Sequence, residues 1–304
     1  MNNIPLVSIV ITTYNRPEFL REAIQSALEQ DFPHKIEILV INDADANEET
    51  DKTVASFKKE NIKYIKHPKN MGIATSRNTG IKEACGEFIF FLDDDDLMPL
   101  NSLSLLWSVA ENHLNDKEFG GATGAVQCFV INNRQRVFTN KEIPFSPKMK
   151  YVTGGGRGIM KRNALIETGR YNTSLKTSED TDMAFRFFRK YYIATTPNVV
   201  YLLRRHRYSS LHNKPSNSKD YLEVIQKYSQ DLETYPPQLY GAVTRTLGIN
   251  LCLEGNVELG RHYLIQSIYR TPFRIKTYVA FIASFFGKDF LKKLQNINTG
   301  LKNE

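Results

Sequence analysis

Residues 91–99 read FLDDDDLMP, four carboxylates directly behind the apolar run Phe88-Ile89-Phe90-Phe91-Leu92. Like charges crowded together repel and raise one another's pKa. Such a row is either a solvated turn or the seat of something positive. A second acidic pair stands in Thr177-Ser178-Glu179-Asp180, at the head of a strongly amphipathic segment. That stretch fits a capping box, with acids at the favourable end of a helix dipole. Further on lies the basic turn Arg204-Arg205-His206-Arg207. Gly154-Gly155-Gly156-Arg157-Gly158 either brings backbone close to a ligand or is a plain flexible connection.

These residues need elements to hold them. Residues 5–11 and 36–41 are apolar, β-branched runs and read as strands. Between them Pro17 starts a helix carrying Leu20, Ala23, Ile24, Ala27 and Leu28 at helical spacing. Residues 48–60 and 73–84 read as helices, 62–66 and 88–92 as strands. The strands are nearly continuous in apolar residues, which implies a parallel sheet covered on both faces. In such sheets ligands bind at the carboxyl ends of strands. Tyr14-Asn15, Asn42-Asp43 and the four aspartates all fall there. A charged turn alone would not gather them on one edge.

Downstream, the sequence predicts a helix over 100–114, a strand–turn–strand over 121–138 and a loop over 144–158. Helices are expected over 161–168 and 177–191, then a strand over 199–203 and a linker over 214–218. The remainder is helical. Leu247, Gly248, Leu251, Gly260, Leu264, Ser267 and Pro272 match the spacing of one tetratricopeptide-like hairpin, whose small residues let two helices cross closely. The expected organisation is therefore a domain over 1–213 and a helical extension over 214–304.

The chain has 304 residues, 41% apolar and 24% charged, enough for a sizeable core. The net charge is +7 and the pI about 9.1, which suits acidic partners or simply a basic surface. Cys85, Cys128 and Cys252 are far apart and odd in number, so neither a disulfide framework nor a zinc spacing is expected. Neither a signal peptide nor a membrane span is read from the pattern. The expected location is cytoplasmic, with peripheral contact at the inner face of a membrane as a further reading. The aromatic stretch 272–286, followed by Lys288, Lys292 and Lys293, either lies on an anionic membrane or is a buried helix. The buried helix is the expectation.

Four motifs together resemble family 2 glycosyltransferases of the GT-A fold. Residues 7–16, VSIVITTYNR, are similar to the family's opening, and 70–80, NMGIATSRNTG, to its NxGxxxARNxG stretch. Asp93-Asp94-Asp95-Asp96 resembles its DxDD element and Glu179-Asp180 its ED pair. The resemblance spans residues 5–206 and leaves the last hundred uncovered. It implies inverting, metal-dependent transfer of a sugar from a nucleotide-diphosphate donor, with a UDP-sugar favoured, to a hydroxyl of a glycan or lipid-linked acceptor. Cell-surface polysaccharide synthesis is the implied setting, with no nucleic acid partner.

Carried onto these positions, the resemblance sets Asp95 on Mn²⁺ or Mg²⁺, hard ions that take oxygen ligands. Asp93 or Asp94 then faces the ribose or the metal's waters. Asp43 accepts a hydrogen bond from the base, beside Thr12 and Tyr14, the latter as a stacking face. Here the chain departs from the family: Asn42-Asp43 is followed by Ala44-Asp45 rather than Gly-Ser, and a plain turn is the competing reading. Arg77 holds a carbonyl or phosphate, or pairs with an aspartate. Asp180 is the implied base for the acceptor hydroxyl, with Glu179 beside it for acceptor binding. Arg204 and His206 fall in a loop that folds over the diphosphate in related enzymes, His206 completing the metal shell or contacting phosphate and Arg204 neutralising charge; a basic surface loop is the alternative. Two other classes compete: a non-catalytic nucleotide-sugar-binding module, and a sugar nucleotidyltransferase. The second would need a glycine-rich phosphate loop, and residues 12–16 contain no glycine.

Overall fold

The computed structural model describes residues 5–44, 48–132, 135–142, 148–149, 157–205 and 218–292. Gly154–Gly156, His206 and residues 214–217 of the expected linker over 214–218 lie outside them, while Ser218 begins a helix, Ser218–Lys227. The chain divides into two compact units, Met1–Asn213 and Lys214–Glu304.

The first unit begins with the expected alternation. Strands β1 (Val7–Thr13), β2 (Ile36–Asn42), β3 (Ile62–Lys66) and β4 (Phe88–Asp93) are separated by helices α1 (Pro17–Leu28), α2 (Glu48–Ser56) and α3 (Ile73–Glu83). β1 lies between β2 and β4, all parallel, and β3 flanks β2. Side chains alternate between two buried faces, as a strand's period of two requires. Ile9, Ile11, Ile38, Val40, Phe88 and Phe90 join one core, with Leu20 and Ile24 of α1. Val10, Leu39, Ile41, Ile89 and Phe91 join the other, with Ala74 and Ile81 of α3. That double burial is why the strands read as unbroken apolar runs.

Helix α4 (Ser102–Ala110) leads to β5 (Phe119–Asn132), which forms a hairpin with β6 (Gln135–Glu142). β7 (Lys148–Met149), β8 (Gly158–Lys161) and β9 (Tyr192–Arg204) complete the sheet, whose order is β3-β2-β1-β4-β8-β5-β9-β7. β8 runs antiparallel to both neighbours, so the sheet is mixed beyond β4. β9 starts at Tyr192, seven residues before the expected strand. Its ladder on β5 breaks register around Ala125, opposite the stretch holding Pro197, which a regular ladder cannot accommodate.

Helices α5 (Arg162–Glu167) and α6 (Glu179–Phe188) follow β8. α6 is shorter than expected at both ends; at its start Ser178 takes a left-handed conformation, φ 62°, and makes no side-chain capping bond. The capping-box reading of Thr177-Ser178-Glu179-Asp180 is therefore not realised at Ser178.

The second unit is helical among its described residues. Helices Pro237–Leu253 and Val257–Arg270 pack against each other. A Cβ on Gly248 would stand 2.7 Å from the Gly260 carbonyl oxygen, and a Cβ on Gly260 2.4 Å from Cys252 Sγ. Only glycine permits this crossing. Ser267 is fully buried and donates to the Gly241 carbonyl at 2.6 Å.

Candidate functional site

The carboxyl ends of β1, β2 and β4 lie side by side, with Thr12 level with Asp93 and Thr13 with Asn42. The four aspartates stand at the end of β4 on that edge, and Asp94 and Asp95 share one partner. Asp94 is buried and accepts from Thr13 Oγ1 at 2.8 Å and from the Tyr14 amide at 3.3 Å. Arg16 Nη1 bridges Asp94 Oδ1 at 3.0 Å and Asp95 Oδ2 at 2.7 Å. Burial pushes the Asp94 carboxyl up to about 7, against the pull of Arg16. Asp96 is buried too, accepting from the Tyr201 hydroxyl at 2.9 Å and the Arg204 amide at 2.8 Å. Something positive does sit at the acidic row, and the last aspartate ties it to β9.

Arg77 joins this edge to α6. Its Nη2 donates to Asp93 Oδ1 at 3.2 Å and its Nη1 to Glu179 Oε1 at 3.0 Å. The guanidinium lies over the Tyr171 ring, 5.3 Å from the centroid. Asn78 fixes that ring from the next position, donating to the Tyr171 carbonyl and accepting its amide, both at 2.9 Å. Arg77 and Asn78 of the motif thus meet on Tyr171. Burial works against the charge on Arg77, but Asp93, Tyr171, Glu179 and Asp180 outweigh it and hold the guanidinium protonated. Arg77 Nε is buried without a partner among the described residues. Glu179 is buried, and that burial raises its pKa with help from Asp180, while Arg77 pulls it down. Asp180, the next residue, is half-buried; its Oδ1 accepts the Thr181 amide at 2.7 Å.

Asp43 is buried at the end of β2. Its oxygens accept the amides of Met71 at 2.9 Å and Gly72 at 2.8 Å, and its Oδ1 lies 2.9 Å from His67 Nδ1. Gly72 has φ +85°, which turns the chain into α3. Asp43 therefore anchors the loop that launches the helix bearing Arg77, and the expected bond to a base competes with three bonds already made. Ala44, where the family has glycine, sits at φ 61°. Thr12 is buried, and Tyr14 is 46% exposed with its ring open to a ligand.

Arg204 is placed differently from its expected role. The side chain is only 3% exposed. It donates to the Asp95 carbonyl at 2.8 Å and to Glu22 at 2.9 Å, between the rings of Phe19 and Phe129. It braces the acidic turn from behind rather than facing a diphosphate. His206, the second expected metal ligand, lies outside the described residues.

Arg16, His67 and Tyr201 were not singled out by the sequence reading. The strand-end rule already contained a signal for two of them. Arg16 follows β1 in the same turn as Tyr14, and His67 directly follows β3. Tyr201 gives no such signal, because its contact with Asp96 depends on β9 reaching the far side of the edge.

Asp94 and Asp95 already share one cation, and carboxylate oxygens are the donors hard divalent ions take. The acidic row therefore fits Mn²⁺ or Mg²⁺. Among the described residues no group of three His, Cys, Asp or Glu side chains is arranged to hold a metal. An ion here would take much of its shell from water and phosphate oxygens, as Mg²⁺ commonly does.

The sequence matches the model of glycosyl transferase family 2 over residues 8–171, more than half of the chain. It is 30% identical over 193 residues to an uncharacterized glycosyltransferase of Rickettsia felis, covering 61% of this chain and 32% of that protein. It thus spans about a third of that relative's length. It is 27% identical over 197 residues to the putative colanic acid biosynthesis glycosyl transferase WcaA of Escherichia coli, covering 63% and 69%. Among solved structures it resembles S. aureus TarS 1-349 in complex with UDP-GlcNAc, with TM-score 0.63, 17% identity and coverage of 98% and 93%. It also resembles the mannosyltransferase PcManGT from Pyrobaculum calidifontis in complex with GDP-Man and Mn²⁺, with TM-score 0.59, 17% identity and coverage of 95% and 83%. These likenesses give the chain the GT-A fold.

Proposed function

Since the chain belongs to glycosyl transferase family 2, we propose that it moves a sugar from a nucleotide-diphosphate donor to a hydroxyl on a glycan or lipid-linked acceptor. The transfer is inverting and metal-dependent, the favoured donor is a UDP-sugar, and the setting is cell-surface polysaccharide synthesis. The UDP-GlcNAc carried by TarS and the likeness to WcaA support the last two points.

The observation that carries this reading is the pair of salt bridges that Arg77 makes, one to Asp93 and one to Glu179. One buried cation ties the acidic strand tip to the first turn of α6. Donor-side and acceptor-side groups therefore share one edge. Asp180, half-buried beside Glu179, accepts the proton of the acceptor hydroxyl as its oxygen attacks the anomeric carbon. Attack from the side opposite the diphosphate inverts that carbon. Glu179, spent on Arg77, positions that arginine, whose buried Nε–H is left for the donor. Tyr14 stacks on the base, and Thr12 with the Asp43 turn shapes its slot. Asp93 and Asp94 frame the ribose side of the edge. Asp95 and His206 would hold a divalent cation, whose charge would offset that of the departing diphosphate.

The test is a panel of nucleotide sugars scored for release of free nucleotide diphosphate, with Mn²⁺, with Mg²⁺ and with chelator. Release from one UDP-sugar that chelator stops is the expected result. If no nucleotide sugar turns over and calorimetry with UDP and Mn²⁺ detects no binding, the reading is wrong.

A further inference from the structure

Helix Ile275–Ala283 is turned inside out. Its small side chains face inward, Thr277 at 0% exposure, Ala280 at 6% and Ala283 at 1%. Phe281 is partly buried against the same core, but other bulky ones face outward, Ile275 at 75% and Ile282 at 57%. Tyr278 and Val279 continue the same outer stripe at helical spacing, and Phe285 and Phe286 extend it one turn beyond. Phe273, in the turn before the helix, is 97% exposed, and Tyr269 beside it is 84% exposed. The expectation of a buried helix over 272–286 therefore does not hold: its large apolar face is presented outward. Soluble proteins rarely leave so continuous an apolar patch open without a use.

Charge decides the occupant. Among the described residues of 273–292, Arg274, Lys276, Lys288 and Lys292 are all exposed, against one acid, Asp289. Arg245 Nη1 is buried without a partner among the described residues, and the charge of Arg274 bears on it. A surface that is aromatic at its centre and cationic at its edge complements an anionic lipid bilayer. A second copy of the chain would set these cations against themselves. Among the described residues no helix is long and apolar enough to cross a membrane, so the helix lies on the surface.

We propose that the face formed by Phe273, Ile275, Ile282, Phe285 and Phe286, rimmed by Arg274 and Lys276, docks on an anionic membrane. The apolar stripe sinks into the boundary between headgroups and acyl chains, and the rim meets lipid phosphates. An anion beside Arg274 also relieves its repulsion of Arg245. The inference stands apart from the choice of donor and of catalytic residues.

The experiment is cosedimentation of the full chain with vesicles of phosphatidylcholine alone and of phosphatidylcholine with phosphatidylglycerol. Binding to the anionic vesicles, weakened by salt, is expected. Arg274→Ser and Lys276→Ser each lower partitioning about fivefold. The pair Phe273→Ser and Phe286→Ser lowers it at least about tenfold. These side chains are exposed, so the far-ultraviolet circular dichroism of every variant stays that of the parent. Absence of binding to the anionic vesicles overturns the proposal, as does binding that none of these substitutions changes. So does a dimer in sedimentation velocity that Phe273→Ser with Phe286→Ser dissociates, which would make a second copy the occupant.

Discussion

Arg77 and Glu179 stand 102 positions apart in the chain and 3.0 Å apart in the fold. The same guanidinium reaches Asp93 with its other amino group. A planar fork can hold two carboxylates at once; an ammonium is a single point charge. Arg77→Ala leaves Glu179 buried and unpaired, which costs about 3–5 kcal/mol. Arg77→Lys keeps the charge but loses one of the two carboxylates, so it too is destabilised, by less. Urea unfolding of the three proteins checks both. If Arg77→Ala unfolds at the parent's urea midpoint, the pair contributes nothing and the bridge is incidental.

Glu179 also makes stability depend on pH in a direction that can be worked out. Burial first, then Asp180, raise its pKa above the ordinary 4.5, and Arg77 only partly offsets them. Between the ordinary and the raised value the folded chain binds more proton than the unfolded one. Stability from this group is thus greatest at or below about 4.5 and falls as pH rises through the raised value. Glu179→Gln removes the titration. The parent minus variant difference in unfolding free energy should therefore shrink or turn more negative as pH climbs from the ordinary value toward neutrality. A difference that grows with pH would mean Arg77, not burial, governs this carboxyl.

Asp180 carries the sharper catalytic expectation. Among the described residues its Oδ1 is engaged by its neighbour Thr181, at 2.7 Å to the amide and 3.3 Å to the hydroxyl. Asp180→Asn preserves those acceptor contacts and the side chain's size. Loss of a positioned general base typically costs about 10²–10⁴ in rate. We expect transfer in single turnover to fall by that much while UDP binding by calorimetry is unchanged. Transfer at the parent's rate would move the base elsewhere.

The strand–helix series and the acidic edge were legible because each rests on local pattern: doubly buried strands read as apolar runs, and strand-end positions follow from them. What was not legible depends on distant segments meeting. Arg204 reads as a basic loop residue until Phe19 and Phe129, from α1 and β5, are seen to enclose it. Asp43 reads as a ligand group until Met71 and Gly72 claim its oxygens. The outer helix of the second unit reads as buried because its stripe is apolar. Periodicity gives the stripe but not which side faces in, and here Thr277, Ala280 and Ala283 take the inside.

Ala44 tests how much strain the base-side turn stores. It follows Asp43 and adopts φ 61°, a left-handed conformation that brings Cβ too close to the next carbonyl oxygen. That conformation costs a residue with a Cβ about 1–2 kcal/mol. Ala44→Gly removes this cost. Against it, glycine loosens the unfolded chain by about 0.4–1 kcal/mol. The difference favours the variant by up to about 1.6 kcal/mol, a rise in Tm of up to roughly 3–6 °C for a unit of this size. Ala44→Val moves the other way, since a β-branched side chain tolerates positive φ worst. Both changes leave the hydrogen bonds of Asp43 to Met71 and Gly72 in place, so nucleotide affinity should follow neither. Differential scanning calorimetry of the three proteins decides it: an Ala44→Gly protein that melts at or below the parent would mean the turn is relaxed with alanine in it.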